Sequence, residues 1–339
     1  MSASADSFLQ RVWYDRAAQW LSLLLLPLSW LFGLVVACRR AAYRVGLLRP
    51  IRVARPVVVI GNVTVGGTGK TPFTIWLATQ LQARGVRVGI VLRGYGGSSP
   101  HWPRDVSSDS LPQEVGDEAV LLASRTAAIV VAGPDRVAAA QRAIERGAEV
   151  VLSDNGLQHY RLARDREIVV IDGRRGVGNR RLLPAGPLRE PVSRLAQADM
   201  RVVSWRDGSA RPLTPVTATI QACARLVEAT ALISGETRPM EAFRGTRVHA
   251  VAGIGHPQQF FAALQQLGIE VASHALPDHA QPTAADICFP DQLAVLMTEK
   301  DAVKCRGIAD HRHWAVRMDV MVSEQDAAAV HAMLGRLLA

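Results

Sequence analysis

Residues 57–72 read V-V-V-I-G-N-V-T-V-G-G-T-G-K-T-P. Four β-branched residues in succession, Val57, Val58, Val59 and Ile60, predict a strand buried on both faces, as in a parallel sheet. A glycine-rich turn follows, then Lys70-Thr71, then a helix-compatible run over 73–82. A strand, a glycine loop, Lys-Thr and a helix in this order form a phosphate-binding P-loop. Glycines let backbone N–H groups curl around phosphate oxygens, and the helix N-terminus adds partial positive charge. The nucleotide-binding residues are thus Thr64, Val65, Gly66, Gly67, Thr68, Gly69, Lys70 and Thr71. Lys70 is expected to reach the β- and γ-phosphates of ATP, and Thr71 to hold Mg²⁺. One position departs from the pattern: Thr64 stands where G-x-x-x-x-G-K-[ST] has its first glycine.

Working outward, the pattern alternates strand and helix. Strands are expected over 86–92, 127–132, 150–154, 168–172 and 200–204, giving a P-loop-type, mostly parallel α/β sheet over residues 51–205. Ligands in such sheets lie beyond the carboxyl ends of the strands. Arg93, Gly94, Tyr95, Gly96 and Gly97 close the second strand there. The 150–154 strand ends in Asp154, the form of the second P-loop signature, whose carboxylate serves the Mg²⁺ shell; Asp172 has the same form. Gly116-Asp117-Glu118 opens a helix, and on spacing alone its acids read as a cap complementing the helix dipole. The segment 178–191, dense in Pro and Gly, is a shaped loop carrying Arg180, Arg181 and Arg189, and guanidinium forks suit phosphate.

Residues 206–215 have linker composition. Beyond them, strands over 248–252, 269–273, 293–297 and 314–318, with helices over 257–267 and 324–338, indicate a smaller C-terminal α/β domain, 216–339. It carries Gly253-Ile254-Gly255-His256, the Asp278-His279 pair and Thr298-Glu299-Lys300-Asp301. The last lacks the Asn and the lysine position of the guanine-reading N-K-x-D signature. Asp278-His279 alone reads as a surface dipeptide.

At the other end, residues 1–50 hold an uncharged run from 17 to 38, long enough to cross a bilayer. Pro27, Ser22, Ser29 and Gly33 weaken it as a straight span. Trp13, Tyr14, Trp20 and Trp30, followed by Arg39, Arg40 and Arg44, resemble an interfacial belt with a basic anchor. An in-plane membrane helix, a transmembrane span, and a buried helix or processed signal all fit. The lipoprotein-like Val35-Val36-Ala37-Cys38 is set aside, because cleavage there would export the P-loop away from ATP.

The chain has 339 residues, a net charge of +9 and 49% hydrophobic content, with arginine far outnumbering lysine. That balance suits an anionic membrane surface or a phosphorylated substrate. Few aromatics and no basic–aromatic interleaving speak against nucleic acid. Four scattered cysteines without a C-x-x-C pair point to a reducing compartment and away from zinc.

Taken together, several collinear motifs resemble one family, tetraacyldisaccharide 4'-kinase (lipid A 4'-kinase). They are L-L-L-L-P-L-S-W-L-F-G-L at 23–34, G-N-V-T-V-G-G-T-G-K-T-P at 61–72, R-G-Y-G-G at 93–97 and G-D-E at 116–118. Further on come D-N-G-L-Q-H-Y-R-L-A-R-D at 154–165, L-L-P-A-G-P-L-R-E at 182–190, A-G-I-G-H-P at 252–257, P-D-H at 277–279 and L-M-T-E-K-D-A-V-K-C at 296–305. The family pattern also lacks the first P-loop glycine. The resemblance implies transfer of the ATP γ-phosphate to the 4'-hydroxyl of a membrane-embedded tetraacyldisaccharide 1-phosphate, at the cytoplasmic face of the bacterial inner membrane. It implies catalytic roles for Asp117, with His279 supporting it, and for Lys70. Metal roles fall on Thr71 and Asp154 rather than Asp172, and functional positions on Tyr95, Arg136 and Arg189, beside Arg93. Cofactors are then ATP and Mg²⁺, with anionic inner-leaflet lipid as a partner and no nucleic acid or protein partner expected. Asn155 departs from the family's usual second Asp and supplies no charge. The competing readings are a membrane-associated P-loop ATPase switch, which would hydrolyse ATP without a phosphorylated product, and a kinase for a soluble metabolite.

Overall fold

The computed structural model describes residues 3–15, 17–206 and 220–338. Its P-loop half is built on β1 (Val57–Gly61), β2 (Val88–Leu92), β3 (Arg104–Val106), β4 (Ile129–Ala132), β5 (Val150–Asp154), β6 (Arg166–Asp172) and β7 (Met200–Arg206). These lie in the order β7-β6-β1-β5-β2-β4-β3, all parallel except the edge strand β3. Val58 and Ile60 point into one buried cluster, Val57 and Val59 into another, so period-two alternation leaves no polar face. The first N-terminal segment, α1 (Ala3–Tyr14), precedes α2 (Leu26–Arg44). Helix α3 (Lys70–Gln82) and α5 (Asp117–Arg125), after the short α4 (Pro112–Val115), cover one face of the sheet; α6 (Arg136–Glu145) covers the other.

The C-terminal half adds β8 (Ile220–Ala231), β9 (Thr237–Pro239), β10 (Arg247–Ala252), β11 (Glu270–Ala275), β12 (Val295–Thr298) and β13 (His313–Val322). Its helices are α7 (Pro257–Gln266), α8 (Ala284–Ile287), α9 (Glu299–Cys305) and α10 (Glu324–Leu338). The order β11-β10-β12-β13 is parallel, and β13 runs antiparallel to β8. Strand β8 also pairs in parallel with β7, so one sheet runs through both halves. Helix α10 places Val330 and Leu334 in the same buried cluster as the P-loop strand and α3. The mixed α/β architecture with a large, mostly parallel sheet follows the sequence expectation. The expected linker, 206–215, lies outside the described residues apart from Arg206, which ends β7.

The N-terminal run is not one straight helix. Gln19–Leu23 form a 3-10 turn before α2, and Pro27 sits in the first turn of α2, where its missing N–H costs nothing. Among the described residues no helix is long and apolar enough to cross a membrane. One side of the segment is docked. Ser29 Oγ donates to Leu182 O at 2.8 Å, Trp13 Nε1 donates to Pro184 O at 2.9 Å, and Arg181 reaches Ser22 Oγ. The other side leaves Trp20, Leu24, Leu28, Trp30, Leu31 and Leu34 exposed.

Candidate active site

The loop after β1 owes its shape to its neighbours. Asn62 Nδ2 donates to Thr64 O at 2.7 Å, Val65 N to Pro187 O at 2.8 Å, and Arg189 N to Val63 O at 2.7 Å. Thr64 thereby forms a bridge with Leu188 in the 178–191 loop. The left-handed positions in the loop are Gly66 (φ 97°) and Gly69 (φ 85°). Thr64 is not among the non-glycine residues with positive φ, so no glycine is required there. Thr68 is buried and its hydroxyl has no partner among the described residues, an orphan that a phosphate oxygen would satisfy.

Lys70 opens α3 directly after Gly69. Its ammonium makes no hydrogen bond among the described residues, and burial pushes its pKa down to about 8 against the attraction of Asp154. Asp154 is 1% exposed. Among the described residues its two oxygens meet only hydroxyls: Thr71 Oγ1 at 3.2 Å and Thr74 Oγ1 at 3.1 Å. Burial pushes this carboxyl up, and Lys70 opposes that most strongly. A desolvated carboxylate beside a threonine, at the mouth of a phosphate loop, fits Mg²⁺. That ion takes one or two carboxylates and completes its shell with phosphate and water. No cluster of three metal-ligating acids, histidines or cysteines occurs among the described residues. Asp172 instead accepts the backbone N–H groups of Arg174 and Arg175, as a turn cap.

Asp117 stands at the first position of α5 and is 5% exposed. Gly116 before it has φ 91°, and a Cβ there would sit 2.5 Å from Tyr95 O, so only glycine lets the chain enter. Asp117 Oδ1 accepts from Glu118 N at 2.8 Å, while Oδ2 lies 3.1 Å from His279 Nδ1. An ionised carboxylate only accepts, so Nδ1 carries the proton. Burial alone would raise the Asp117 pKa, but the His279 hydrogen bond and the charges of Lys300 and Lys304 hold it below the ordinary carboxylate range. That hydrogen bond raises His279 above the ordinary imidazole value, with burial and Lys300 opposing. His279 itself has φ 59°, and the ring of Tyr95 meets it edge-on at 4.8 Å.

The arginines divide. Arg136 is buried beneath the strand ends and donates to Gly133 O at 3.1 Å and Asp154 O at 3.3 Å, a brace rather than an open fork. Burial pushes it down to about 10. Arg189 is half-buried, close enough to Lys70 to depress it, and its side chain makes no hydrogen bond among the described residues. Arg93 is exposed at the end of β2.

Two groups of side chains had no individual assignment from sequence. Glu118 feels Asp154, Asp117, Lys70 and Lys300 together, so it stands between the P-loop and the Asp117–His279 pair; burial raises its pKa. Glu190 is almost fully buried and receives Tyr160 OH at 2.5 Å and Gln158 Nε2 at 3.0 Å. Gln158 also donates to Asn62 O at 3.1 Å, and Arg194 lies 3.3 Å from Glu190. The adjacency of Glu118 to Asp117 was a signal. Glu190 offered only its place beside Arg189.

A parallel sheet, a glycine loop running into Lys70-Thr71, and a buried acid under the threonine define a P-loop nucleotide-binding protein. The buried Asp117, paired with His279, adjoins that site through Glu118. The sequence pattern of the Tetraacyldisaccharide-1-P 4'-kinase family matches residues 21–338, and the chain belongs to that family. It is 50% identical over 332 residues to a tetraacyldisaccharide 4'-kinase of Alkalilimnicola ehrlichii, covering 98% of each chain. It is 46% identical over 331 residues to that of Nitrosococcus oceani, covering 97% of this chain and 95% of the relative. Among solved structures it is similar to the "apo" form of LpxK from Aquifex aeolicus in complex with ATP. The TM-score is 0.80 at 29% identity, over 94% of this chain and 100% of that one.

Proposed function

We propose that this protein transfers the γ-phosphate of ATP to the 4'-hydroxyl of a tetraacyldisaccharide 1-phosphate. The observation that carries the reading is convergence. The P-loop with Asp154 and the Asp117–His279 pair flank one carboxylate, Glu118, in a chain of this family.

The backbone N–H groups of the glycine loop and the N-terminus of α3 receive the phosphates, with the buried Lys70, which makes no hydrogen bond among the described residues, as the counter-charge. Thr71 and Asp154 would hold Mg²⁺, which when bound neutralises charge on the β- and γ-phosphates. Arg189 and Arg93 add guanidinium charge at the mouth. The acceptor oxygen attacks the γ-phosphorus, and the bond to the β-phosphate oxygen breaks, its electron pair leaving with ADP. The hydroxyl proton passes to Nε2 of His279, while Asp117, too acidic to serve well as the base itself, holds the ring by Nδ1 and stabilises the imidazolium.

The acceptor enters along a groove between α2 and the 178–191 loop, lined by Ser29, Trp30, Gly33, Arg40, Arg181 and Leu182. Apolar walls suit acyl chains, and the arginine forks suit a sugar phosphate. The same loop holds Val65 and Val63, so it borders the nucleotide site. The exposed Trp20, Leu24, Trp30 and Leu31 and the basic Arg39 and Arg44 support an in-plane seat on anionic lipid at the cytoplasmic face of the inner membrane.

The test is transfer of ³²P from γ-labelled ATP to detergent-dispersed tetraacyldisaccharide 1-phosphate, with wild type against Lys70→Ala. Labelled lipid from wild type alone supports the kinase. ATP hydrolysis without labelled lipid overturns it in favour of an ATPase switch.

A further inference from the structure

The motif T-E-K-D-A-V-K-C at 296–305 (with its leading Leu-Met) resembles the family but has no role in the reading above. In the structure it spans the end of β12 and the whole of α9. Thr298 caps the helix, its Oγ1 accepting from Asp301 N at 3.2 Å. Asp301 Oδ2 receives Gly253 N at 2.9 Å, and Lys304 Nζ lies 2.8 Å from Asp301 Oδ1 and donates to Ala280 O at 2.9 Å. Glu299 receives both bonds from Arg125, at 2.7 and 2.6 Å, which clamps α9 to the end of α5. The helix is therefore fixed against the element carrying Asp117. Between these anchors projects Lys300. Its Nζ lies 3.2 Å from His279 Nε2, 3.4 Å from Asp278 Oδ1 and 3.9 Å from Glu118 Oε1.

We infer that Lys300 is a positioning residue that keeps Nε2 of His279 unprotonated and aimed at the incoming acceptor hydroxyl. The inference rests on the reading of His279 as the proton acceptor. An ammonium has three N–H donors and no lone pair, so at 3.2 Å from Nε2 it can only donate, and that nitrogen must present its lone pair. The ring proton is then confined to Nδ1, where Asp117 accepts it. Asp117 on one side and Lys300 on the other select one tautomer of one charge state.

The electrostatics run the same way. The charged and titratable groups against the ring are Asp117 from α5, Lys300 from α9, Asp278 from its own loop, and Tyr95 from the loop after β2; Glu118 and Lys304 stand one step further out, against Lys300 and Asp117. Asp117 and Asp278 both favour the protonated imidazole, Lys300 opposes them, and a protonated ring accepts nothing. Lys300 is the cation nearest Nε2. It stays charged, because Asp117, Glu118 and Asp278 together outweigh the burial that disfavours its charge. When the acceptor arrives, Asp278 and Glu118 are there to take the ammonium as it yields Nε2.

The experiment titrates His279 directly. Full-length protein carrying ¹³Cε1-histidine is followed by NMR from pH 5 to 9, with His279→Asn to assign the resonance. Wild type is compared with Lys300→Met, Lys300→Gln and Lys300→Arg. The kcat–pH profile of lipid phosphorylation is recorded for each. Removing a positive charge at this range raises the midpoint by about one pH unit. The acid limb of kcat follows, a loss of about tenfold near pH 6 that fades by pH 9. Lys300→Arg keeps both within a few tenths of a unit of wild type. An unmoved His279 midpoint in the two neutral variants overturns the inference. So does a pH-independent fall in kcat, or a rise confined to KM for ATP, since either would place Lys300 on the substrate's phosphates. A shifted midpoint with an unshifted acid limb leaves the hold of Lys300 on His279 in place and overturns the proton-acceptor reading instead.

Discussion

Thr71 Oγ1 and Asp154 Oδ2 lie 3.2 Å apart, joining the first turn of α3 to the end of β5 across the mouth of the phosphate loop. The carboxylate is buried, and Thr74 is its only other hydrogen-bond partner among the described residues. Replacing its charge leaves the fold's packing intact and removes the anion from the Mg²⁺ site. Asp154→Asn is expected to lower kcat by about 100-fold or more, on the order of 3 kcal/mol. It should also raise the Mg²⁺ concentration giving half-maximal rate. Mg²⁺ titrations of the purified variant check both, and an unchanged Mg²⁺ requirement would remove Asp154 from the site.

The Asp117–His279 pair also makes stability depend on pH. His279 is raised above its ordinary 6.5, so its charge contribution is complete below that value and is lost as pH climbs through the raised one. Asp117 is depressed below 3.8, so its contribution is present above 3.8 and is lost as pH falls through the lower value. His279→Gln should therefore melt about 2–4 °C below wild type at pH 6, with the gap clearly smaller at pH 9. Scanning calorimetry at the two pH values decides it. A gap that widens toward pH 9 contradicts the sign.

Gly116 is where the site depends on backbone freedom. A methyl group there meets Tyr95 O at 2.5 Å and must also adopt φ 91°. Gly116→Ala is expected to cost about 3 kcal/mol of stability. Because α5 begins at the next residue, the displacement reaches Asp117, and kcat should fall more than KM for ATP rises. Denaturant melts and steady-state kinetics of the same preparation separate the two effects.

How much of this was legible in sequence depended on what each stretch buries. Strands β1, β5 and β6 are buried on both faces along most of their length, so they read as mostly apolar runs, and the acidic ends of β5 and β6, Asp154 and Asp172, stand out. Strand β8 was not found. It carries charges such as Glu228, which pairs with Arg317 across the sheet, so its pattern does not read as a buried run. The P-loop is local and could be read residue by residue. The Asp117–His279 pair joins positions 162 apart, and spacing gives no hint of it; only the resemblance raised it above a cap and a surface dipeptide. Lys300 was hidden for another reason: its motif contains an ordinary capped helix start, and the partners that give the lysine meaning lie on α5 and the 277–279 loop.

The exposed apolar face of the N-terminal segment makes its own prediction. Leu24 and Leu31 stand 73% and 60% exposed, on the side away from the docked Ser29 and Gly33. Leu24→Glu with Leu31→Glu would place two charges where the lipid seat is proposed, without touching the groove. Cosedimentation with phosphatidylglycerol-containing vesicles should fall by about tenfold or more, since each buried leucine is worth about 1.5–3 kcal/mol. Binding of a fluorescent ATP analogue should be unchanged. Equal cosedimentation of the variant and wild type would rule out this face.

Asn155 carries the last prediction. It follows Asp154 with φ 52°, a left-handed conformation that Asn and Asp tolerate better than most residues. Its Oδ1 is buried without a partner among the described residues. Such an orphan costs free energy unless a donor arrives, and a water of the Mg²⁺ shell is the donor that the proposed chemistry supplies. Asn155→Asp keeps the backbone geometry and adds a second negative charge beside the first. Without metal, two buried carboxylates repel, so the variant should be less stable than wild type by about 1 kcal/mol or more in EDTA. With Mg²⁺ the repulsion becomes attraction for the ion, so the half-saturating concentration should drop and the stability gap should close. Melting each protein with EDTA and with Mg²⁺·ADP reads this directly. A gap indifferent to Mg²⁺ would mean that position 155 does not face the ion.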